Sequence, residues 1–263
     1  MLLSGVYVAK KANGEIYYRA SFTYKNKHIS LGSYSNEDDA NSAYIEAKSL
    51  IESSLSIDDY GLQKRFLSFE KWVCIVNYRD NNIYFKTPIY MKPKHFEYHY
   101  DPEITYKFDV DDLFYFSTHK IMKRGKHLFV SDYGMQISIL SRYGIKKYAV
   151  EGRDYIFKNG DNTDLRYENI EIINKYTGVV KNTYKGRSLF TASIHINGNI
   201  IIGRYKSEVN AAIAYNKAVD ILHSRGFSKN FDKNYIEDLS NIEYAKKYNM
   251  LSISRKIREF THP

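Results

Sequence analysis

The sequence predicts an α+β protein in which two three-stranded antiparallel sheet-plus-helix modules flank a central α+β domain. The main observation is a block that occurs near each end of the chain, GSYSNEDDANSAYIEA from Gly32 and GRYKSEVNAAIAYNKA from Gly203. In both copies a strand-like alternation precedes the block and a helical spacing lies within it. A repeat of this kind indicates one module used twice. The predicted domains are residues 1–56, 57–174 and 175–263.

The two copies share residues that are typical of turns and of a tightly packed helix. Seven positions of the block are identical: Gly32/Gly203, Tyr34/Tyr205, Glu37/Glu208, Ala40/Ala211, Ala43/Ala214, Tyr44/Tyr215 and Ala47/Ala218. The match continues upstream, with Gly5-Val6 corresponding to Gly178-Val179 and Ala20-Ser21 to Ala192-Ser193. We therefore expect the two copies to share a fold.

The first module is predicted to be a meander of three strands followed by a helix. Residues 18–24 alternate, with Arg19, Ser21 and Thr23 on one side of a strand. A shorter strand precedes them, and another follows a turn at Lys25-Asn26. Asn36 or Ser35 is expected to cap a helix whose alanines, three and four positions apart, form one apolar stripe.

The second module follows the same plan. Thr191, Ser193 and His195 alternate with apolar residues, Asn197-Gly198 is a hairpin-turn sequence, and Ser207 is expected to cap the helix. In both modules the helix should cover one face of the sheet. The other face should be polar and open.

The composition excludes some classes of protein and suggests a partner. The chain has a net charge of +9 and one cysteine, Cys74, which excludes an internal disulfide and favours a buried thiol. No apolar segment approaches the roughly 20 residues that span a bilayer, and no secretory signal is evident. We expect an intracellular, cytoplasmic protein with no membrane association.

The positive charge is concentrated in the last third of the chain. Residues 1–56 hold 6 Lys/Arg and 6 Asp/Glu, residues 57–174 hold 18 and 17, and residues 175–263 hold 15 and 7. A local basic excess favours a polyanionic partner through counterion release. A polyanionic partner is therefore expected for the C-terminal module.

The repeated module resembles the Apetala-two/ethylene-response-factor DNA-binding domain, which in bacteria and phages often accompanies homing endonucleases. The resemblance covers about 50 residues at each end and is carried by Gly178-Val179, residues 192–195, Gly203-Arg204-Tyr205, residues 208–218 and Asn230-Phe231. In that family the open face of the sheet enters the major groove, which is wide enough for a β-ribbon.

The resemblance implies DNA-contacting residues on both open faces. In the second module they are Lys181, Asn182, Tyr184, Lys185, Arg187, Ser193, His195, Asn199 and Arg204; in the first they are Arg19, Ser21, Thr23 and His28. Small or neutral residues replace most arginines and tryptophans of the family, so its sequence specificity does not carry over. The first copy is neutral overall, and its open face is compatible with DNA contact, protein contact or simple solvation.

The centre of the chain carries a motif that resembles the core of HNH homing endonucleases, a ββα-metal-like element. Asn159-Gly160, Asp164, Arg166 and Asn169-Ile170 match that family's pattern. The histidine that acts as its general base is replaced by Phe157, or by Tyr155 if Asp154-Tyr155 is the equivalent pair. Neither side chain serves as a base near neutral pH. The resemblance thus implies a degenerate domain with no catalytic residues, no metal and no cofactor.

Histidines from elsewhere in the fold are the remaining candidates for a base or a metal ligand. His95, His99, His119 and His127 lie in the central domain. His95 and His99 have the spacing of a helical metal site, but the aromatic residues alternating with them favour a strand with both histidines on one face. In the same domain, Asp111–Phe116 is predicted to be a core strand, and the basic residues of 120–126 to be a solvated loop or a phosphate-contacting surface.

The leading hypothesis is a non-catalytic double-stranded DNA-binding protein, a phage or mobile-element regulator derived from a homing-endonuclease architecture. Two alternatives remain: an active HNH-type endonuclease with relocated ligands, and a phage-encoded inhibitor that binds a host protein or ribonucleoprotein, of the anti-defence, anti-CRISPR type. The basic tail is expected to be a helix that either anchors DNA without reading sequence or caps the last domain.

Overall fold

The molecule combines helices with several small antiparallel sheets, and the predicted α+β class is confirmed. The structure is a computed structural model that describes residues 2–62, 64–146 and 148–260, with the side chain of Tyr184 left out. None of the helices within those ranges is long and apolar enough to cross a membrane. The chain divides into two compact units, described separately below.

The first unit comprises Met1–Ile139 and Asp161–Asn169. Its strands are β1 (Val6–Lys10), β2 (Ile16–Tyr24), β3 (Lys27–Tyr34), β4 (Ile89–Met91), β5 (His95–His99), β6 (Thr105–Asp109), β7 (Ile121–Arg124), β8 (His127–Asp132) and β9 (Met135–Ser138). Its helices are α1 (Glu37–Glu52), α2 (Phe69–Asn81) and α3 (Leu113–Thr118). The strands form three meanders, in the orders β1-β2-β3, β4-β5-β6 and β7-β8-β9.

The second unit comprises Leu140–Gly160 and Ile170–Pro263. Its strands are β10 (Tyr155–Phe157), β11 (Ile170–Ile172), β12 (Val179–Tyr184), β13 (Arg187–His195) and β14 (Asn199–Tyr205). Its helices are α4 (Glu208–Ser224), α5 (Asn241–Met250) and α6 (Arg255–Arg258). β10 pairs with β11, and the other three strands form a sheet in the order β12-β13-β14.

Both copies of the repeat fold as a three-stranded sheet with a helix packed against it. The three repeated alanines of each helix, Ala40, Ala43 and Ala47 and their counterparts Ala211, Ala214 and Ala218, are all fully buried. Their small side chains allow the helix backbone to approach the sheet closely. Asn36 caps the first helix by accepting from the Asp39 backbone N–H, and Ser207 caps the second by accepting from Asn210.

A β-bulge occurs at the same place in both sheets. Ala20 pairs with Gly32 while Ser21 pairs with Ser30, so one residue of β3 is left unpaired. Likewise Ala192 pairs with Gly203 while Ser193 pairs with Ile201, which leaves Ile202 unpaired. The unpaired side chains, Leu31 and Ile202, are both buried. The bulge thus adds one apolar side chain to each core and shifts the alternation of the last strand.

In each module, a repeated glycine lies directly against a repeated tyrosine of the helix. Gly5 has a φ of +74°, and a Cβ placed on it would lie 2.1 Å from the ring of Tyr44. Gly178, with a φ of +70°, would place a Cβ 2.4 Å from the ring of Tyr215. Only glycine permits both this backbone conformation and this close approach of the helix tyrosine.

Two further repeated residues tie each module to the chain on either side of it. Glu37 accepts a hydrogen bond from the Leu3 backbone N–H (2.6 Å), and Glu208 accepts one from Lys175 (3.1 Å). The Tyr34 hydroxyl donates to the Phe66 carbonyl oxygen (3.0 Å), which lies beyond the helix of that module. The hydroxyl of Tyr205 does the same with the Ser252 carbonyl oxygen (2.7 Å).

The core of the first module continues past residue 56. Leu67 and Trp72 belong to the same buried cluster as Ala43 and Leu50, so α2 packs on the repeat module. The predicted boundaries after residues 56 and 174 stay a prediction. Cys74 lies within α2, and its Sγ donates to the Thr87 carbonyl oxygen (3.3 Å). Cys74 is buried, as predicted from the sequence, and burial raises the pKa of its thiol to about 12.

An aromatic cluster fills the middle of the first unit. Phe96 stacks on Phe108, Phe116 packs against both at a tilted angle, and all three are fully buried. The prediction of a core strand at Asp111–Phe116 is wrong, because Leu113–Thr118 forms the helix α3. Only Phe116 of this segment enters the aromatic cluster, whereas Phe114 is 86% exposed. The prediction failed because an apolar run this short fits a strand and a helix equally well.

The C-terminal segment packs onto the second module. Ile257 of α6 is fully buried in the core that contains Ala214 and Val219. The Lys217 ammonium group donates to the carbonyl oxygens of Tyr248 (2.8 Å) and Leu251 (2.9 Å), which stabilises the C-terminal end of α5. The tail thus forms a cap on this module, one of the two roles expected for it.

Candidate nucleic-acid interface

The face of the second sheet that lies away from α4 is the best candidate for a binding surface. The strand register places Val180, Asn182, Thr191, Ser193, His195, Asn199 and Arg204 on this open face, together with Leu189 and Ile201. The opposite face holds the buried residues Val179, Ala192 and Ile194. The alternation of β13 predicted from the sequence is thus the one that the pairing produces.

Two side-chain hydrogen bonds hold polar residues of the open face across the strands. The Asn182 amide donates to the Thr191 hydroxyl oxygen (3.0 Å). His195 Nδ1 lies 3.0 Å from the Asn199 side-chain oxygen, and these two residues face each other in the register. Such bonds fix the side chains while leaving other donor and acceptor atoms exposed to a partner.

The hairpin between β12 and β13 carries three of the predicted contact residues. Lys185 and Gly186 form a two-residue turn in which both φ angles are positive, +50° and +73°. Arg187 pairs with Tyr184 at the base of this turn, on the open side of the sheet. Lys181 instead pairs with Phe190, so the register places it on the side that faces α4. Tyr184 has no described side chain.

The second sheet is free of acidic residues. Residues 172–207 contain six basic residues, Lys175, Lys181, Lys185, Arg187, Arg204 and Lys206, and no Asp or Glu. Lys181, Arg187 and Arg204 form no ion pair with any residue in the described part of the chain. Of these three, Arg187 and Arg204 lie on the open face, and they give it a local excess of positive charge.

The first sheet has a different surface. Arg19, Thr23 and His28 are exposed on its open face, whereas Ser21, at the bulge, is only 7% exposed. The nearby lysines have partners within the molecule. Lys11 pairs with Glu15 (3.0 Å), Lys25 bonds to Asn82, and Lys27 lies over the Tyr84 ring.

Aligning the registers shows which substitutions distinguish the two faces. Glu15 stands where the second copy has Arg187, because each follows the first hairpin turn and faces the end of the preceding strand. Ser33 stands where the second copy has Arg204, one residue after the glycine that pairs with the β2 or β13 alanine. Two arginines of the second face are thus an acid and a serine in the first.

A cleft of about 490 Å³ opens at one end of the second sheet. Its lining includes Ser193, His195 and Asn199 from the open face. Lys229 also lines the cleft and donates to the His195 carbonyl oxygen (3.1 Å). Three of the predicted contact residues therefore border a concave surface as well as a flat one.

The HNH-like motif is organised by hydrogen bonds within its own loop. Asp164 is buried and accepts two hydrogen bonds from the Arg166 guanidinium, at 2.8 and 2.6 Å. The Asn169 amide donates to the backbone oxygens of Asp161 (3.1 Å) and Asp164 (2.8 Å). The Asp164 side chain raises the pKa of Arg166 further above its ordinary value. These matching residues thus act as loop-stabilising groups.

The strands on either side of this loop are β10 and β11, which pair as a hairpin would. The helix that completes a ββα element is not formed by residues 173–178, which lead from β11 directly into β12. Tyr155 and Phe157, the two alternatives for the place of the catalytic histidine in the HNH resemblance, both lie in β10. At Asp154, burial raises the carboxyl pKa, but bonds from Arg153, Val150 and Asn174 outweigh it, so the pKa is lowered.

The other histidines do not assemble around this element. His95 and His99 lie on β5, as the alternation predicted, with Glu97 between them on the same face. His99 Nε2 is 3.5 Å and His95 Nε2 is 3.9 Å from the Glu97 carboxylate, and His119 is 3.6 Å from Asp132. Across residues 2–62, 64–146 and 148–260, no group of three or more His, Cys, Asp or Glu side chains is arranged to hold a metal ion.

Neither the family models, nor the curated proteins, nor the solved structures that were compared with this chain gave a match. The resemblances described above therefore stay predictions. The site is defined by its own chemistry: an exposed, acid-free β-sheet face with arginine, histidine and asparagine side chains.

Proposed function

We propose that this chain is a non-catalytic double-stranded DNA-binding protein whose main contact surface is the open face of β12, β13 and β14. The observation that carries the proposal is the acid-free, unpaired positive charge of this face. A duplex releases condensed counterions when such cations neutralise its phosphates, and this supplies most of the sequence-independent affinity.

The shape of the surface supports the same partner. A three-stranded sheet with neighbouring strands about 4.8 Å apart is roughly 10 Å across. The major groove of B-DNA is about 12 Å wide and admits a β-ribbon. Asn182, Asn199 and His195 offer amide and imidazole groups of the kind that bond to base edges, while Arg187 and Arg204 are suited to phosphates or guanine.

The test uses the residues that the first copy of the repeat has at equivalent positions. The double variant Arg187→Glu, Arg204→Ser gives the second face the residues of the first, and the first module shows that this fold accommodates them. We expect fluorescence anisotropy with a labelled duplex to show weaker binding and a salt slope smaller by about two. Lys181→Glu, on the other side of the sheet, should have a smaller effect.

A charge-matched control separates a local contact from the net charge. Lys48→Glu together with Lys94→Ser changes the charge by the same amount, at exposed positions of the first unit. Binding by this control should stay close to that of the unaltered chain. Equal losses in both double variants, or none in either, would contradict the proposed surface.

A protein or ribonucleoprotein partner is the second candidate, favoured by exposed apolar side chains of the first unit. Phe114, Tyr133 and Met135 are 86%, 96% and 63% exposed. Aromatic side chains of this kind often dominate protein interfaces. Absence of any duplex shift at about 50 mM salt, where even non-specific DNA binding is strong, would favour this candidate.

A further inference from the structure

We infer that the hairpin of β7 and β8 is a second DNA-backbone contact, located in the first compact unit and independent of the open face of the second sheet. The inference rests on the proposed function and adds a site to it. Its ligand is the phosphodiester backbone of a duplex, contacted without reading the base sequence.

The hairpin presents its cations at a tight turn. Arg124 pairs with His127, and Gly125 and Lys126 form the two-residue connection between the strands, with a φ of +58° at Gly125. Lys123, Arg124, Lys126 and His127 are all exposed. Because the turn is short, three permanent charges are held within a few residues on a paired β-structure rather than spread along a mobile loop.

These charges have no counterpart nearby in sequence. Residues 113–131 contain four Lys or Arg residues, Lys120, Lys123, Arg124 and Lys126, and no Asp or Glu. Lys120 is the one that pairs with an acid, Glu70. For Lys123, Arg124 and Lys126 the described part of the chain provides no ion pair. The Arg124 guanidinium lies 5.9 Å from the Phe129 ring centre, a contact that orients it and leaves its charge in place.

Like charges at this spacing repel one another, and a phosphate backbone removes that repulsion as it binds. The same pattern, a hairpin with exposed cations in an acid-free stretch, occurs at β12 and β13 in the second unit. In the first unit the open face of β1–β3 has only Arg19 as an exposed, permanent positive charge, since Lys11 is paired with Glu15. The β7–β8 hairpin, rather than the repeat module, is therefore the basic contact of this unit.

The experiment compares two triple variants with the same net charge. Lys123→Gln, Arg124→Gln, Lys126→Gln removes the hairpin cations. Lys11→Gln, Lys92→Gln, Lys120→Gln removes three cations of the same unit that are paired with acids. With a random-sequence duplex of about 30 bp, the hairpin variant should lower the salt slope by two to three and weaken binding on the order of 100-fold at about 0.1 M salt. The control should change the slope by less than about one.

The outcomes distinguish this inference from the proposed function. If the duplex binds the unaltered chain and the Arg187→Glu, Arg204→Ser variant weakens it, but the hairpin variant behaves like its control, then the hairpin inference fails and the function stands. If the unaltered chain does not bind a duplex, both fail. A circular-dichroism melt of each variant tests whether it is folded at the assay temperature.

Discussion

The residues repeated between the two modules all act in the interior or at its border. Gly178 and Gly186 illustrate how differently two glycines with similar backbone angles are used. Both have φ near +70°, but a Cβ on Gly178 would strike the Tyr215 ring and the Ser193 carbonyl oxygen. A Cβ on Gly186, in the β12–β13 turn, would meet nothing within 4 Å. Packing requires glycine at position 178, whereas at position 186 only the turn conformation favours it.

Gly178→Ala and Gly186→Ala form a matched pair of variants that separates these two effects. Gly186→Ala should lower the free energy of unfolding by about 1 to 2 kcal/mol, the cost of a left-handed backbone. Gly178→Ala should cost at least about 2 kcal/mol more, because the methyl group displaces a buried ring. Urea denaturation measures both. Equal losses would show that the Gly178–Tyr215 contact relaxes without cost.

The partly buried hydroxyl of Tyr205 makes the stability of the fold depend on pH in the alkaline range. Burial raises the pKa of its hydroxyl to about 12, above the ordinary value near 10. The folded state therefore favours the neutral hydroxyl, so its contribution to stability is complete below about pH 10 and is lost as the pH rises towards 12.

Tyr205→Phe should remove the bond to the Ser252 carbonyl oxygen and cost about 1 kcal/mol at neutral pH. Between about pH 10 and 12 the free energy of unfolding of this variant should fall less steeply with pH than that of the unaltered chain. The difference in slope should correspond to the binding of at most one proton. Tyr235→Phe, at a side chain that is 81% exposed, is the control and should change neither quantity. An unchanged pH slope in Tyr205→Phe would contradict the assignment.

Among the elements, the loop between β10 and β11 gives its HNH-like residues a structural role. Asp164, Arg166 and Asn169 match a nuclease pattern, but here they bond within the loop. The Arg166 guanidinium donates to the Asp164 carboxylate, and the Asn169 amide donates to the Asp164 backbone oxygen. Residues 163–165 also hydrogen-bond along Lys107 of β6, which places this part of the loop at the edge of the β4–β6 sheet. These roles need Asp and Asn for their short acceptor and donor groups, and they need no metal or base.

Asp164→Asn should therefore act on stability. Removing the buried carboxylate leaves the Arg166 guanidinium without its bidentate partner, and we expect a loss of about 3 kcal/mol. Glu168→Gln, which removes a 71% exposed partner of the same arginine, should cost less than about 1 kcal/mol. Thermal or urea unfolding measures both changes. If Asp164→Asn left the free energy of unfolding unchanged, the loop would not depend on the Asp164–Arg166 pair.

At the scale of the whole molecule, the protein uses one fold twice with two different surfaces. The interior residues of the modules coincide, down to the bulge and the tyrosine anchors, while the open faces differ at the arginines of the second copy. A duplicated module needs to retain its core in order to fold. Its solvent face is free to change, because exposed substitutions cost little stability.

The resemblance to HNH endonucleases leads to a prediction for the intact chain. Incubated with supercoiled plasmid and Mg²⁺ or Mn²⁺, the protein should leave the plasmid uncut, because the HNH resemblance would place Phe157 or Tyr155 where that family has its general base. Gel electrophoresis of the plasmid is the measurement. Nicking that disappears in Asp154→Asn or Asp161→Asn would establish an active endonuclease with relocated ligands instead.

Much of the local architecture was predictable because it follows from short-range patterns. The alternation around Ala192, the alanine stripe of α4 and the cap at Ser207 each depend on neighbours within one or two turns of the chain. The segment around Phe116 was mistaken for a strand, since a four-residue apolar run has no period of its own. The side of the sheet on which Lys181 lies could not be predicted either, because it depends on the register of the strand.

The sequence by itself determined that this is an α+β chain with one module at each end and a concentration of positive charge in the last third. Periodicity, capping residues and charge counts are local properties, so they can be read from the chain directly. Only the tertiary structure decided which cations stay unpaired, which glycine meets a helix tyrosine, and that the nuclease-like residues are bonded within their loop. These depend on contacts between residues far apart in sequence, such as Gly178 with Tyr215 and Tyr205 with Ser252. Such contacts exist only once the strands and helices have packed.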